Sequence, residues 1–476
     1  MPLGAGPDEP AHIIKAGAVA NGTLLGAPTS DPSSTSMPAP AALAEAYSWP
    51  CFAYEPDVTA ACQRPMIEAD STLLDQSTTA GLYNPVYYMI VGFPAVFDIG
   101  PMAMALSMRL LSALLSALLA TAIFAVLSRM MPPLFALTTL GVALTPMVYF
   151  LGSVVNPNAA EILGGAAFFS GLVWFARSSE VRTRTALVPA ITLALGGFIG
   201  ANSRSVSPFW LFLFGLLFLL VAPPVKVKEI CRAPLFLGSL GLVVVSAIGS
   251  VIWTLSTGTL GRLGNFPGQD DSPISIFIRM MINAPSDPGL IALFGWLDTT
   301  VPGLVHSIYG FGILGLTIAA LALSTSRWRL ATIGAIVIFF CGPALLQAAS
   351  LKSSGFIWQG RYSIVALVLL VLVAGMAIAF TLNERFGDAW ITEQSVVIAL
   401  LLTLLLLMVA QFWAYFSNLQ RYTVGSSGGP LEVFTNPQWQ PITGVSGAVA
   451  LFVIGVLPIL AVAVLSAGAR VRQVSA

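Results

Sequence analysis

The chain has 476 residues, 57% of them hydrophobic and 9% charged, with a mean hydropathy of +0.87. Soluble domains carry about 25% charged residues, so this composition excludes an ordinary soluble enzyme and points to a polytopic membrane protein. The formal net charge is zero, which gives nucleic acid no basic surface to bind.

The chain nevertheless opens on its densest polar cluster, with Asp8, Glu9, His12 and Lys15 inside "GPDEPAHIIKAGAVANG". Pro10 suits the first turn of a helix, and Asp8 or Glu9 suits the cap before it. Both acids can thus be read as helix-start residues, with a catalytic role as the alternative. Asp8, His12 and Lys15 fall on one helical face. The rest of the first segment, 1–101, is rich in Pro, Ser and Ala from Ala27 to Pro40 and reads as a flexible surface loop. Cys51 and Cys62 suit a disulfide if this segment lies outside the cytoplasm, with two free thiols as the alternative. Residues 84–97, within "LYNPVYYMIVGFPAVFD", are too few and too close to the next apolar run to cross alone. Their tyrosines suit a helix lying in the headgroup region.

Eleven apolar segments then approach the length of about 20 residues that a membrane helix needs. They are placed at 102–127, 133–152, 159–175, 186–201, 208–222, 234–255, 302–323, 330–349, 362–381, 395–416 and 446–466. The expected fold is therefore an all-α polytopic transmembrane bundle. Spans occupy 102–255 and 302–416, long loops occupy 256–301 and 417–445, and 446–476 holds the last span and tail. "DPGLIALFGWLDTTVPG" at 287–303 reads as a second interfacial helix, with Trp296 as anchor and Asp298 facing water or a site.

One set of short loops holds Arg129, Arg177, Arg182, Arg184, Lys226, Lys228, Arg232, Arg327, Arg329, Arg385, Arg470 and Arg472, which is 12 of the 21 basic residues. The same loops hold five of the 21 acids: Glu180, Glu229, Glu384, Asp388 and Glu393. Positive charge favours the cytoplasmic side. This set is therefore expected inside, with the C-terminus, and the long segments 1–101, 256–301 and 417–445 outside. An outside first segment needs a helix to lead it across, so we expect the natural chain to carry a further span before Pro2.

Four motifs occur in order: "PDEPAH" at 7–12, "NPVYY" at 84–88, "FGWLDTTVP" at 294–302 and "QGRY" at 359–362. Together they resemble an uncharacterised bacterial membrane family, domain of unknown function 2142, over nearly the whole chain. That family looks like the multispanning GT-C type glycosyltransferases, which take sugars from polyprenyl-phosphate donors. They carry an acidic residue or pair just after the first helix, a position that Asp8 and Glu9 match. The resemblance implies a GT-C-like bundle with a polyprenyl-phosphate sugar donor and a glycan or lipid acceptor as partners, besides membrane lipids. In "SVVNPNAAEI", Asn158 stands where an acid is expected, and Glu161 one turn later is the candidate substitute.

Glycosyl transfer needs a base for the acceptor hydroxyl and positive charge at the leaving phosphate. Asp8 is the expected base, with Glu9 supporting it or exchanging roles. Arg361 is the first phosphate ligand to consider and Lys352 the second, with Arg204 at another helix end and His12, Trp296 and Asp298 as further substrate contacts. Arg109 lies about two turns inside a span, where a charge needs a partner; Glu161 and Asp98 are the candidates. No Cys/His spacing marks a metal site. A divalent metal stays open as a cofactor, although neighbouring carboxylates on one helix diverge. The competing readings are a transporter or flippase of lipid-linked glycan and a non-catalytic envelope-assembly protein.

Overall fold

A computed structural model describes residues 1–66, 72–261, 266–387 and 389–474. Asp388 and the side chains of Arg470 and Arg472, counted in the charge bias above, lie outside the described part. The chain is a helical membrane bundle. Among the described residues nine helices are long and apolar enough to span, and a bent pair adds a tenth.

The N-terminal segment forms a small packed layer at one end, here called the loop-rich end. It comprises α1 (Glu9–Ala20), β1 (Ala27–Pro28), β2 (Thr35–Pro40), β3 (Leu73–Thr78) and α2 (Val86–Val91). The three strands make one antiparallel sheet in the order β1-β2-β3. Ala27–Pro40 is thus not an irregular loop. Thr35, Met37 and Ala39 are buried on alternate positions and fix the register against β3. α1 is buried along its length from Glu9 to Val19. α2 is the short helix expected near 84–97, but Tyr87 and Tyr88 point into the core at 2% and 0% exposure rather than toward headgroups.

The bundle follows as α3 (Pro101–Leu127), α4 (Pro133–Ala143), α5 (Pro146–Gly152), α6 (Asn158–Arg177), α7 (Leu187–Ala201), α8 (Ser207–Val221), α9 (Pro224–Ile230) and α10 (Pro234–Thr257). After α11 (Pro273–Asn283) come α12 (Gly303–Leu323), α13 (Ser326–Ser354), α14 (Ile364–Phe386), α15 (Ala389–Thr392), α16 (Gln394–Val424), α17 (Glu432–Thr435) and α18 (Gly444–Val474). Each of the eleven expected segments coincides with a helix or with the α4–α5 pair; α7 and α8, at 15 residues each, are the shortest single helices among them.

α6 and α14 are the centre, with their whole apolar windows buried. Without a hydrophobic drive between helices in lipid, close packing has to hold them. Gly164 of α6 lies so near Gly200 of α7 that an added Cβ would meet the Gly200 amide at 2.6 Å. This glycine seam sets the loop-rich ends of α6 and α7 side by side.

α4 and α5 meet at a 77° bend. Pro146 has no N–H and disfavours helix in the residue before it, and Thr145 is extended. The backbone groups freed inside the bundle find partners from outside the helix. Met147 N donates to Ile291 O at 2.8 Å, Thr145 Oγ1 donates to Leu290 O at 2.9 Å, and Gln411 Nε2 donates to Leu144 O at 3.1 Å. The segment that supplies Leu290 and Ile291 is therefore not the interfacial helix expected at 287–303. It is a single turn at Pro288–Leu290 followed by a Phe294–Thr299 bridge. Gly295 and Leu297, with φ of 61° and 66°, break helical geometry. The amphipathic helix of this loop is α11, which lays Ile276 and Met280 on α13 and leaves Ile274, Ile278 and Ile282 uncovered.

A candidate site at the loop-rich end

Asp8 precedes α1 but does not cap it; its side chain makes no capping bond. Its φ of 61° places it in the left-handed region, a strained conformation for a residue with a Cβ. The carboxylate instead turns to Arg361, whose Nη2 lies 2.8 Å from Asp8 Oδ2. Asp8 is half exposed on its side chain, whereas the Arg361 side chain is 3% exposed. Arg361 stands on a short turn just before the central helix α14, so the bundle itself presents the guanidinium. Its Nη2 also bonds Tyr362 Oη at 3.0 Å, while its Nε and Nη1 are buried with no partner among the described residues.

A second guanidinium flanks the same ring. Arg204 sits 4.3 Å from the Tyr362 ring centroid and Arg361 5.0 Å. Arg204 follows α7, and the α6–α7 seam brings it to Glu161 at 3.6 Å. Ser207 Oγ donates to the other Glu161 oxygen at 2.7 Å. Tyr83 completes this wall: its hydroxyl bonds the Arg204 side chain. Each of the two arginines thus carries one carboxylate.

His12 lies behind this wall, 5% exposed, sharing a 2.7 Å hydrogen bond between Nδ1 and Tyr88 Oη. Its ring meets Tyr83 edge-on at 5.7 Å. Burial, helped by the charges of Arg204 and Arg361, lowers its pKa to about 4 against an opposing pull from Asp8. His12 is therefore neutral at pH 7.

Glu9 faces away from this cluster. Its carboxylate is fully buried and held in a two-pronged grip by Arg109: Nε to Oε1 at 2.7 Å and Nη2 to Oε2 at 2.6 Å. Arg109 also donates to Met1 O and Pro2 O, and Val155 N donates to Glu9 Oε1 at 3.2 Å. The partner of Arg109 is thus Glu9, not Glu161 or Asp98. A carboxylate so enclosed anchors α1 to α3 and leaves Asp8 as the accessible acid of the pair.

The other expected residues are dispersed. Asn158 is buried at the start of α6 with its backbone N–H on Asn156 Oδ1. Beside Val155, Asn156 of this loop also reaches the acidic segment, donating to Pro7 O at 3.1 Å. Lys352 is exposed and donates to Gln269 O at 2.6 Å, so it ties α13 to the 266–271 loop rather than joining Arg361. Asp298 is spent on Arg421 at 3.2 Å. Trp296 donates from Nε1 to Gly4 O at 2.9 Å, four residues before Asp8. Lys15 is buried on Leu24 O and Gly81 O. Cys51 and Cys62 form a disulfide.

Tyr83, Tyr88, Tyr362, Asn156 and Ser207 belong to this constellation; the sequence points to Tyr83 and Tyr88 only as headgroup residues and does not single out the other three as site residues. "NPVYY" and "QGRY" contain two of them, Tyr88 and Tyr362. Among the described residues no three His, Cys, Asp or Glu side chains gather as a metal cage would require. A cavity of about 650 Å³, lined by Arg129, Trp174, Arg177, Phe380 and Glu384 among others, opens at the opposite end of the same central helices. It shares no residue with the Asp8–Arg361 cluster.

The profile of the family described as a predicted membrane protein, DUF2142, matches residues 1–371. The chain belongs to this family. The match covers the N-terminal layer, the α6–α7 seam and the whole Asp8–Arg361 cluster, since Arg361 lies just inside it. No curated protein and no solved structure matches the chain, so the family's own description, a membrane protein, is what the comparisons give.

Proposed function

We propose that the chain is a membrane glycosyltransferase that moves a sugar from a polyprenyl-phosphate donor to a cell-envelope glycan or lipid on the outer face of a bacterial plasma membrane. The observation that carries this reading is the half-exposed Asp8 carboxylate 2.8 Å from a buried arginine that still has two nitrogens without partners among the described residues. Transfer needs a base and a phosphate seat side by side, and this pair supplies both.

In this reading the acceptor hydroxyl attacks the sugar C1 and gives its proton to Asp8. The C1–O bond to phosphate breaks, and the charge that gathers on the departing phosphate falls on Arg361 and Arg204. Guanidinium groups suit phosphate because they are planar donors that stay charged. Glu161 and Ser207 hold Arg204, Tyr362 spaces the two arginines, and neutral His12 supports the wall through Tyr88 and Tyr83. Glu9 anchors the helix start and takes no proton.

A transporter of lipid-linked glycan is the competing reading. The packed core of α6 and α14, whose apolar windows are wholly buried, supports the transferase. The deciding experiment uses purified protein with radiolabelled polyprenyl-phosphate mannose, glucose and arabinose, and a membrane lipid extract as acceptor. Label moving into a new product, and lost in Asp8→Asn, supports the proposal. Scrambling of intact donor lipid across vesicles without bond formation overturns it.

A further inference from the structure

Tyr54 is the exposed aromatic residue for which the fold makes unusual provision. Its side of the loop is closed by the Cys51–Cys62 disulfide. Its φ is 65°, a left-handed value for a residue with a bulky side chain, and such strain persists only where the surroundings enforce it. Three elements do so here. Tyr54 N donates to Asp298 Oδ2 at 3.1 Å. The buried Arg421 grips the same loop through Phe52 O, Glu55 O and Val58 O. Gln63 Nε2 donates to Leu3 O and Trp49 O, both at 2.8 Å, stapling the loop to the segment that leads into Asp8.

The result of this bracing is a residue left 68% exposed. Its edge contact is Trp296 at 5.6 Å, and Trp296 is itself fixed to Gly4 O. Burial raises the Tyr54 hydroxyl above its usual value, and the charges that act on it are those of Asp8, Arg361 and Asp298. Through Trp296 and its bond to Gly4 O, the exposed Tyr54 is tied to the segment that leads into Asp8.

We propose that Tyr54, braced by Trp296, is a stacking platform for a pyranose ring, placed so that a sugar unit of the acceptor is held with its hydroxyl toward Asp8. The chemistry fits. One face of a pyranose is a patch of C–H groups carrying slight positive charge, and an aromatic face is negative. Tyrosine gives this contact with little side-chain entropy to lose. The inference rests on the transferase reading for the role of the sugar, but not for its binding.

The test is saturation-transfer NMR on the intact, detergent-solubilised chain with methyl α-mannopyranoside, methyl β-glucopyranoside and methyl β-galactopyranoside as probes. The expected result is transfer to the C–H protons of at least one probe. Tyr54→Phe should keep it, and Tyr54→Gly, which also relieves the φ strain, should cut it at least fivefold with an unchanged thermal midpoint. Asp8→Asn should retain probe binding. No transfer to any probe, or equal transfer in Tyr54→Gly, overturns the platform. Probe binding that depends on Tyr54 while sugar transfer fails would overturn the enzymatic reading alone.

Discussion

Asp8 and Arg361, 353 positions apart in the chain, meet at 2.8 Å with one partner half exposed and the other enclosed. An enclosed guanidinium is a fixed charge, whereas the half-exposed carboxylate is open to an incoming substrate. This asymmetry separates the two acids of the opening cluster and sets the first prediction. Asp8→Asn should lower sugar transfer by roughly 10²–10⁴-fold, the usual range for losing a general base. Its thermal midpoint in detergent should stay near that of the parent. Undiminished turnover in the radiolabel assay would remove Asp8 from the chemistry.

Glu9→Gln should behave in the opposite way. It leaves Arg109 buried beside a neutral amide, and breaking a buried pair costs about 3–5 kcal/mol. Yield and thermal midpoint should fall, while transfer per correctly folded molecule is retained. A stable Glu9→Gln protein without activity would return Glu9 to the catalytic pair.

Arg361→Ala should weaken donor binding more than acceptor binding, and Arg361→Lys should recover little, because a point charge does not replace a planar donor set. Binding measured with a short-chain polyprenyl phosphate, without the sugar, isolates the effect. Equal affinity in parent and variant would deny the phosphate role.

His12 predicts a pH dependence of stability. Its pKa is lowered from 6.5 to about 4 by burial, so the unfolded chain takes up a proton that the folded chain refuses. The stabilisation is complete above pH 6.5 and is lost as pH falls toward 4, with a slope approaching 1.4 kcal/mol per pH unit. Thermal midpoints between pH 7.5 and 5 should fall less steeply in His12→Gln than in the parent. Parallel curves would show that another group titrates.

Replacing Cys51 and Cys62 by serine should cost about 3 kcal/mol through loop closure in the unfolded chain. Because Arg421 and Asp298 hold the same loop, local order should survive in part. Limited proteolysis of the 51–63 region, compared with and without reductant, reads this directly; identical cleavage would show that the bridge contributes nothing.

The spans were legible in the sequence because a stretch of about 20 apolar residues has one stable arrangement in lipid. The α4–α5 bend was less so. Pro146 was visible, but the backbone of Ile291 that permits the break was not. Segment 287–303 misled for a related reason: its apolar residues look like an interfacial helix, yet they serve the interior of the bundle. α11 was overlooked although Ser272-Pro273 marks its start. The acidic cluster and Arg361 were readable as candidates, because charges are rare enough here to stand out. Their pairing was not. Glu9 and Asp8 are neighbours whose side chains diverge, and only the position of α3 decides which of them Arg109 takes. Arg204, Tyr83 and Tyr362 converge through the glycine seam between α6 and α7, a relationship between elements with no local signature.

The wide separation of Asp8 from its arginine has a consequence for biosynthesis. While the ribosome is still making the first thirteen helices, the acid has already emerged and has no counter-ion from the C-terminal half. The cluster can close only when α14 enters the bilayer and brings its preceding turn to the surface. A nascent chain arrested before that point would hold the acid without its cation, so this pocket is among the last features of the molecule to be completed.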